Sequence, residues 1–455
     1  MIDESKVKRP ITASAVRGLR SQRVSRILGP MPGLKEITIA CWACFFLFLV
    51  APAVVAMVGQ YRNGEFLKSA GGDFVYVYST GRLLNEYPAD RLYDDDLHRR
   101  LCNEVRPSTD GEYGPSPYPP HIGFIFRYFA LLPFRAAYAT WVCVTLALYI
   151  TGVILCARRF LGKEVERWLA LALALSFNPF VCWTLMNGQL SALGFFGFAA
   201  AICAADGGRP VLGGLALSLC AYKPTLLLLV IPMLLAARLF KTLAGFAAGG
   251  AALALIPTAV FGAGVWKGYA TMLFSFGRGA AGVDGHSFRQ LWTYVDLVSF
   301  LQGLGARPWL MLAFYLSTAA FFVFLLLKIL RLPRAHEQGG PALTWAFTLT
   351  WTMFLNAYIP IYDTLLVVLA VIITAGVARE LKGRAIYGWF TAIWALCFAA
   401  SWVTTDIAKA TGVQLLTPLL AALGVAQLQV MRKWSEAAPE QSQVSRLHTT
   451  PMWSE

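Results

Sequence analysis

Side chains that can exchange protons are concentrated in one polar stretch of an otherwise apolar chain, roughly residues 71–120. Within it, Asp73 follows two glycines and directly precedes a segment that is typical of a helix carrying aromatic residues. A carboxylate in this position can act as a general base toward a hydroxyl group, because it takes the proton as the oxygen attacks. Asp is also a preferred helix N-cap, so a purely structural role for Asp73 stays open.

A run of three acids, Asp94, Asp95 and Asp96, raises the question of a divalent metal ion. Consecutive residues cannot all face one ion without a special turn, so the run better fits a solvated loop or the acidic start of a helix. The nine cysteines form no CxxC pair and no Cys/His cluster with the spacing of metal ligands. We therefore expect no metal and no other cofactor.

Lys223 is the charge with the most apolar surroundings, since it lies in the segment Leu219–Pro224 between two hydrophobic runs. A lysine at membrane depth costs roughly 2.5–3.5 kcal/mol on insertion scales, so such a residue is by default a functional candidate. A bound phosphate would offset the cost. Snorkelling to the interface and pairing with an internal carboxylate are the alternatives.

Further polar candidates are scattered along the chain. Asn187 and Gln189 flank a glycine between two apolar segments, and Tyr362-Asp363 opens another such segment. His286 follows a glycine-rich stretch, and the imidazole of a histidine titrates near neutrality and suits proton transfer. A lone histidine is more often structural, so that role stays open.

The composition shows which elements must position these residues. Of the 455 residues, 57% are hydrophobic and 14% are charged, against roughly 25% charged in a soluble domain. So few charges could not cover a soluble protein of this size, whereas lipid solvates the outer face of a membrane protein. The net charge of +14 comes from short basic blocks between apolar stretches. It therefore indicates topology and not a nucleic-acid partner.

Apolar segments long enough to cross a hydrocarbon core of about 30 Å recur along the chain. They predict an all-α polytopic membrane protein with about 11–13 transmembrane helices. Lys223-Pro224 would break one pair of helices, and residues 120–133 would form a partial helix. The candidate spans are 37–59, 134–157, 166–185, 188–205, 209–222, 223–237, 243–262, 307–330, 341–358, 360–377, 385–403 and 412–431.

The basic blocks predict the orientation of these helices. With the amino terminus inside, 24 of the 39 Lys and Arg fall in cytoplasmic segments, as the positive-inside rule expects. Both termini would then be cytoplasmic in a multi-pass protein of the plasma (inner) membrane. The expected organisation is a cytoplasmic basic tail (1–36), a single transmembrane domain (37–431) and a disordered cytoplasmic tail (432–455). Two larger loops, about 60–133 and 263–306, would face away from the cytoplasm.

The order of the motifs resembles that of glycosyltransferase family 87. The first loop contributes Gly72-Asp73-Phe74, Tyr78, Gly81-Arg82-Leu83-Leu84 and Tyr87, followed by Leu92-Tyr93-Asp94. The later pieces are Tyr118-Pro119-Pro120, Asn187-Gly188-Gln189, Gly213-Gly214, Lys223-Pro224 and Tyr362-Asp363-Thr364-Leu365. Together they cover most of residues 37–431.

The resemblance implies the helical bundle of a C-type glycosyltransferase (GT-C). Such an enzyme would transfer a hexose, with mannose as the first candidate, from a polyprenyl-phosphate donor to a hydroxyl group of a glycolipid or glycan acceptor. The transfer would invert the configuration at the anomeric carbon. Asp73 or His286 would be the base. Lys223, Arg82 and Arg289 would bind the donor phosphate. Acceptor or sugar contacts would come from Tyr78, Asn187, Gln189, Tyr362 and Asp363, and the partners would be membrane lipids. A transporter or flippase for a lipid-linked sugar is the alternative. Transporters built from repeats often have broken helices at matching positions of their two halves, whereas Lys223-Pro224 has no counterpart in the second half of this chain.

Overall fold

The computed structural model describes residues 71–106, 116–281, 290–332 and 339–436. The predicted first span, both termini, His286 and Arg289 lie outside the described residues. Within the described ranges the chain is helical, with one isolated β-bridge between Tyr294 and Pro360 and no strand.

The first polar region folds into three helices: α1 (Phe74–Glu86), α2 (Asp95–Val105) and α3 (Pro120–Phe129). Asp94 caps α2, because its side chain accepts a hydrogen bond from the Leu97 main-chain N–H at 3.0 Å. Asp95 and Asp96 follow in the first turn, where negative charge favours the helix dipole. The interpretation of the acidic run as a helix start is confirmed.

The next apolar segments form helices that are interrupted by short π-helical and 3₁₀ turns. They are α4 (Phe134–Phe160), α5 (Glu164–Leu175), a π-helical turn (Pro179–Leu185), α6 (Ser191–Asp206), α7 (Pro210–Leu217), two 3₁₀ turns (Ser218–Tyr222 and Pro224–Leu227) and α8 (Val230–Ala236). Lys223 stands between the two 3₁₀ turns with φ −138° and ψ 84°. A residue before proline avoids the helical region, so the predicted break at Lys223-Pro224 is confirmed.

The second half begins with the long helix α9 and ends with the long pair α15 and α16. Its helices are α9 (Phe240–Phe261), α10 (Gly264–Ala281), α11 (Leu297–Gly303), α12 (Pro308–Ile329), α13 (Gly340–Phe354), α14 (Leu365–Val377), α15 (Ala385–Thr411) and α16 (Leu416–Glu436). Short 3₁₀ turns lie at Leu291–Thr293, Ile361–Thr364 and Ala378–Leu381. Helix α15 extends eight residues beyond the predicted end at 403, because no proline or glycine lies between residue 403 and Gly412.

Five helices of the described chain are long and apolar enough to cross a membrane, and a sixth is formed if α5 and the π-helical turn, bent by 49°, make one span. Shorter apolar helices accompany them between residues 191 and 236. These findings confirm an all-α, multi-pass membrane protein. The helices that qualify are Phe134–Phe160, Phe240–Phe261, Pro308–Ile329, Ile361–Leu381 and Ala385–Thr411.

Helices α13 and α14 form the centre of the bundle, and every residue of α13 except Pro341 is buried. Threonines at one-turn intervals bond back to the helix: Thr344, Thr348 and Thr352 donate to carbonyls four residues earlier at 2.8–3.1 Å. A hydroxyl buried in this way leaves no polar atom facing the apolar interior.

The two ends of the helical bundle differ in the residues that they carry. Helix α6 starts at Ser191 and ends at Asp206, a rise of about 24 Å. At Asp206 it meets Arg159 of α4 in an ion pair, and Lys382 pairs with Glu166 at 2.6 Å nearby. We call this the basic end. The opposite end, near Ser191, is the site end. Basic residues near helix termini at the basic end include Arg158, Arg159, Lys328, Arg379, Lys382 and Arg384.

Candidate active site

The start of α1 is fixed by a turn from a distant part of the chain. The main-chain N–H groups of Asp73 and Phe74 both donate to the carbonyl of Asn187, at 3.0 and 2.9 Å. Gly188 in this turn has φ +72°, and a Cβ there would lie 2.6 Å from the Cβ of Phe74. The Asn187-Gly188-Gln189 motif therefore needs its glycine both for backbone conformation and for close approach to α1.

The side chain of Asp73 is bound by the same turn. Asp73 occupies the N-cap position of α1, but within the described residues its carboxylate makes no capping hydrogen bond to that helix. Gln189, which is 5% exposed, donates from Nε2 to Asp73 Oδ2. The Tyr118 hydroxyl in turn donates to Gln189 Oε1 at 3.5 Å. The carboxylate thus faces the bundle interior at the site end.

Lys223 is paired with Asp363. Its Nζ donates to Asp363 Oδ2, and the two side chains are 13% and 1% exposed. Ser191 Oγ donates to the other carboxylate oxygen, Oδ1, at 2.8 Å. The ammonium also lies 4.9 Å from the ring centroid of Tyr362 and 5.4 Å from that of Tyr358, which are cation–π distances. Of the alternatives considered for Lys223, the structure shows pairing with an internal carboxylate, that of Asp363.

Tyr118 lies between Asp73 and the Lys223–Asp363 pair. Its ring centroid is 6.3 Å from that of Tyr222, the residue directly before Lys223. Burial, together with the nearby charges of Asp73 and Asp363, holds the pKa of the Tyr118 hydroxyl well above its ordinary value. The phenol therefore stays protonated and acts as a donor. We call the seven residues so connected the site cluster: Asp73, Tyr118, Gln189, Lys223, Tyr358, Tyr362 and Asp363.

Three residues proposed from the sequence hold other positions. Arg82 lies nine residues beyond Asp73, about 13 Å along α1, and binds Glu86 and Glu104 at 2.7 and 3.1 Å. The hydroxyl of Tyr78 donates to the carbonyl of Leu132 at 2.8 Å, and its ring is buried. Asn187 contributes its main-chain carbonyl to the turn. The structure does not bring Arg82 or Tyr78 to the site cluster.

Sequence reasoning missed Ser191 and gave no role to Tyr118, Tyr222 or Tyr358. Ser191 is the first residue of α6, two residues after Gln189, and Tyr222 directly precedes Lys223. Their position next to a recognised motif is the sequence feature that could have identified them. Within the described ranges, no three His, Cys, Asp or Glu side chains are grouped as metal ligands would be. The site cluster combines a carboxylate that can accept a proton, a partly buried ammonium group and several phenol rings.

The sequence profile of glycosyltransferase family 87 matches residues 117–360, more than half of the chain. The match includes Tyr118, Gln189 and Lys223, whereas Asp73 and Asp363 lie on either side of it. No curated protein matches the chain, and no solved structure does. On the extent of the family match, the chain belongs to glycosyltransferase family 87 and is a membrane glycosyltransferase.

Proposed function

We propose that this glycosyltransferase moves a hexose, with mannose as the first candidate, from a polyprenyl-phosphate donor to a hydroxyl of a glycolipid or glycan acceptor. The reaction takes place on a GT-C bundle at the extracytoplasmic face of the plasma (inner) membrane. One observation carries the proposal: a carboxylate, Asp73, and a partly buried lysine, Lys223, belong to one cluster at the end of the bundle opposite its basic end.

The proposed reaction uses Asp73 as the proton acceptor and Lys223 as the cation beside the leaving phosphate. The acceptor oxygen attacks the anomeric carbon while its proton passes to the Asp73 carboxylate. The bond between the anomeric carbon and the phosphate oxygen breaks, and its electron pair leaves with the polyprenyl phosphate. Attack opposite the leaving group inverts the configuration. A positioned base contributes roughly 10²–10⁴-fold to such a step.

Lys223 suits the leaving phosphate because negative charge grows there during the reaction. A cation aimed at developing charge in a water-poor site stabilises the transition state more than the ground state. In the described structure Asp363 holds that cation, so the donor phosphate has to share Lys223 with the carboxylate or displace it. The polyprenyl chain stays in lipid, so only its sugar phosphate reaches the site end.

The test is sugar transfer by the purified protein in lipid nanodiscs. We expect polyprenyl-phosphate mannose to donate to a membrane glycolipid extract, and product NMR to show inverted anomeric configuration. Transfer from a nucleotide sugar but not from the lipid-linked donor would overturn the donor assignment. Retained configuration would overturn the single-displacement step.

The first prediction concerns the base. Asp73→Asn removes the proton acceptor but keeps the shape of the side chain, so kcat should fall by about 10²-fold or more. Asp96→Asn is the matched control, because Asp96 is an exposed acid of the same region and lies in the first turn of α2. Equal turnover in the two variants would remove Asp73 from the mechanism.

A further inference from the structure

We propose that Gln189 is a positioning residue, which holds the Asp73 carboxylate ionised and directs it toward the acceptor hydroxyl. This role differs from the acceptor or sugar contact that the sequence suggested for Gln189. The proposal rests on the proposed function, since it takes Asp73 as the base of the transfer reaction.

The hydrogen bonds leave the Gln189 amide one orientation. An ionised carboxylate only accepts hydrogen bonds, so the amide NH₂ group must face Asp73 Oδ2. The amide oxygen then faces Tyr118, whose hydroxyl donates to it at 3.5 Å. A flipped amide would set its oxygen against the carboxylate oxygen of Asp73, and two acceptors repel each other.

Main-chain bonds make this contact a rigid one. Asp73 and Gln189 are 116 residues apart, yet the N–H groups of Asp73 and Phe74 are bound to the carbonyl of Asn187, two residues before Gln189. One short turn therefore fixes both the main chain and the carboxylate of Asp73. A carboxylate that is already held by its main chain and by Gln189 loses little conformational entropy when the acceptor hydroxyl binds. This lowers the entropic part of the activation barrier.

The bond also favours the charged form of Asp73. A hydrogen bond donated to a carboxylate stabilises its ionised state, and the effect is large where water is scarce. Gln189 is 5% exposed, so water cannot easily replace its amide. A neutral donor serves this purpose without the desolvation cost of a second buried charge.

Two substitutions at position 189 test the role. Gln189→Leu keeps the bulk but removes the donor, so kcat should fall by about 10- to 100-fold while the donor KM stays within about twofold. Gln189→Glu places a second carboxylate against Asp73, and the two must then share a proton near neutral pH. The acidic limb of the kcat/KM profile should move up by about one pH unit or more.

A matched control separates positioning from the loss of any buried amide. Gln427 of α16 is 1% exposed and donates to Thr374 Oγ1 at 3.1 Å, in a different part of the bundle. Gln427→Leu should leave kcat and the pH profile unchanged. Rates are taken per folded molecule, measured as the monodisperse fraction. If Gln189→Leu expresses poorly, Gln189→Asn gives the same comparison, because the shorter amide stops short of Asp73.

The outcomes distinguish this inference from the proposed function. An inactive Asp73→Asn variant together with wild-type kcat and an unmoved acidic limb in the Gln189 variants would overturn the positioning role alone. An active Asp73→Asn variant would overturn the base assignment itself. A rise confined to the donor or acceptor KM of Gln189→Leu would return Gln189 to a substrate contact.

Discussion

At the scale of single residues, the central feature is that the partly buried Lys223 is paired with a carboxylate, one of the alternatives that the sequence left open. Asp363 accepts from both Lys223 and Ser191, so its carboxylate is satisfied on each oxygen. A charge inside a membrane protein is costly unless paired, and each member of this pair offsets the cost of the other. The pair is therefore a stability element as well as a candidate phosphate contact, and any test has to separate the two roles.

A double substitution achieves that separation. Lys223→Met alone leaves Asp363 charged and uncompensated, which should destabilise the protein by about 3–5 kcal/mol. Lys223→Met combined with Asp363→Asn removes both charges, so the melting temperature should return close to that of the wild type. Transfer from the lipid-linked donor should stay about 10- to 100-fold lower in kcat/KM, as expected for a lost charge-assisted hydrogen bond. A stable double variant with wild-type donor use would remove Lys223 from donor binding.

At the scale of elements, glycines set how closely the helices approach. Helices α7 and α9 cross where Gly214 and Gly245 face each other's backbones. A Cβ at Gly245 would overlap the carbonyl of Val211, and one at Gly214 would overlap the carbonyl of Thr242. Small residues at such crossings allow the backbone contact that holds membrane helices together. Because α7 leads directly into the 3₁₀ turn before Lys223, this crossing also supports the site cluster.

Two glycines of the same helix give a matched stability test. Gly245→Ala should lower the stability by about 1–3 kcal/mol, because the added methyl group has no space at the crossing. Gly250→Ala lies five residues further along α9, where a Cβ meets nothing within 4 Å, and should be neutral or slightly stabilising. Thermal unfolding in detergent, followed by the loss of monodisperse protein, measures both. Equal melting temperatures would contradict the tight crossing.

At the scale of the whole molecule, the separation of the two ends matters most. Basic residues gather where α4, α6 and α14 end, and the site cluster lies about one helix length away. The positive-inside rule predicts that the basic end lies in the cytoplasm, which would put the site cluster at the outer face, as proposed above. That arrangement suits a donor whose lipid chain remains in the bilayer.

Cysteine labelling in intact cells tests this orientation. Lys382→Cys lies at the basic end, whereas Lys409→Cys lies near the site end of α15, where Lys409 stands 5.5 Å from the ring of Trp292. In a Cys143→Ser background, which removes an exposed cysteine, a membrane-impermeant maleimide should label Lys409→Cys directly. Lys382→Cys should react after the cells are permeabilised. The opposite pattern would place the site cluster in the cytoplasm.

The sequence by itself determined the helical, membrane-spanning class, the break at Lys223-Pro224 and the start of α2 at the acidic run. These features follow from local physics: the length of apolar segments, the lost N–H of proline and the preference of acids for helix starts. Asp73, Lys223, Gln189 and Asp363 were also found as single candidates. Their side-chain types stand out against apolar surroundings even without a fold.

Only the tertiary structure decided which candidates meet. Gln189 reaches Asp73 across 116 residues, and Asp363 reaches Lys223 across 140. Arg82 and Tyr78, which were also candidates, bind other partners outside the site cluster. Hydrogen bonds and ion pairs act over a few ångströms, whereas the sequence records only the order of residues along the chain. Contacts between distant segments therefore depend on how whole helices pack, which no local pattern determines.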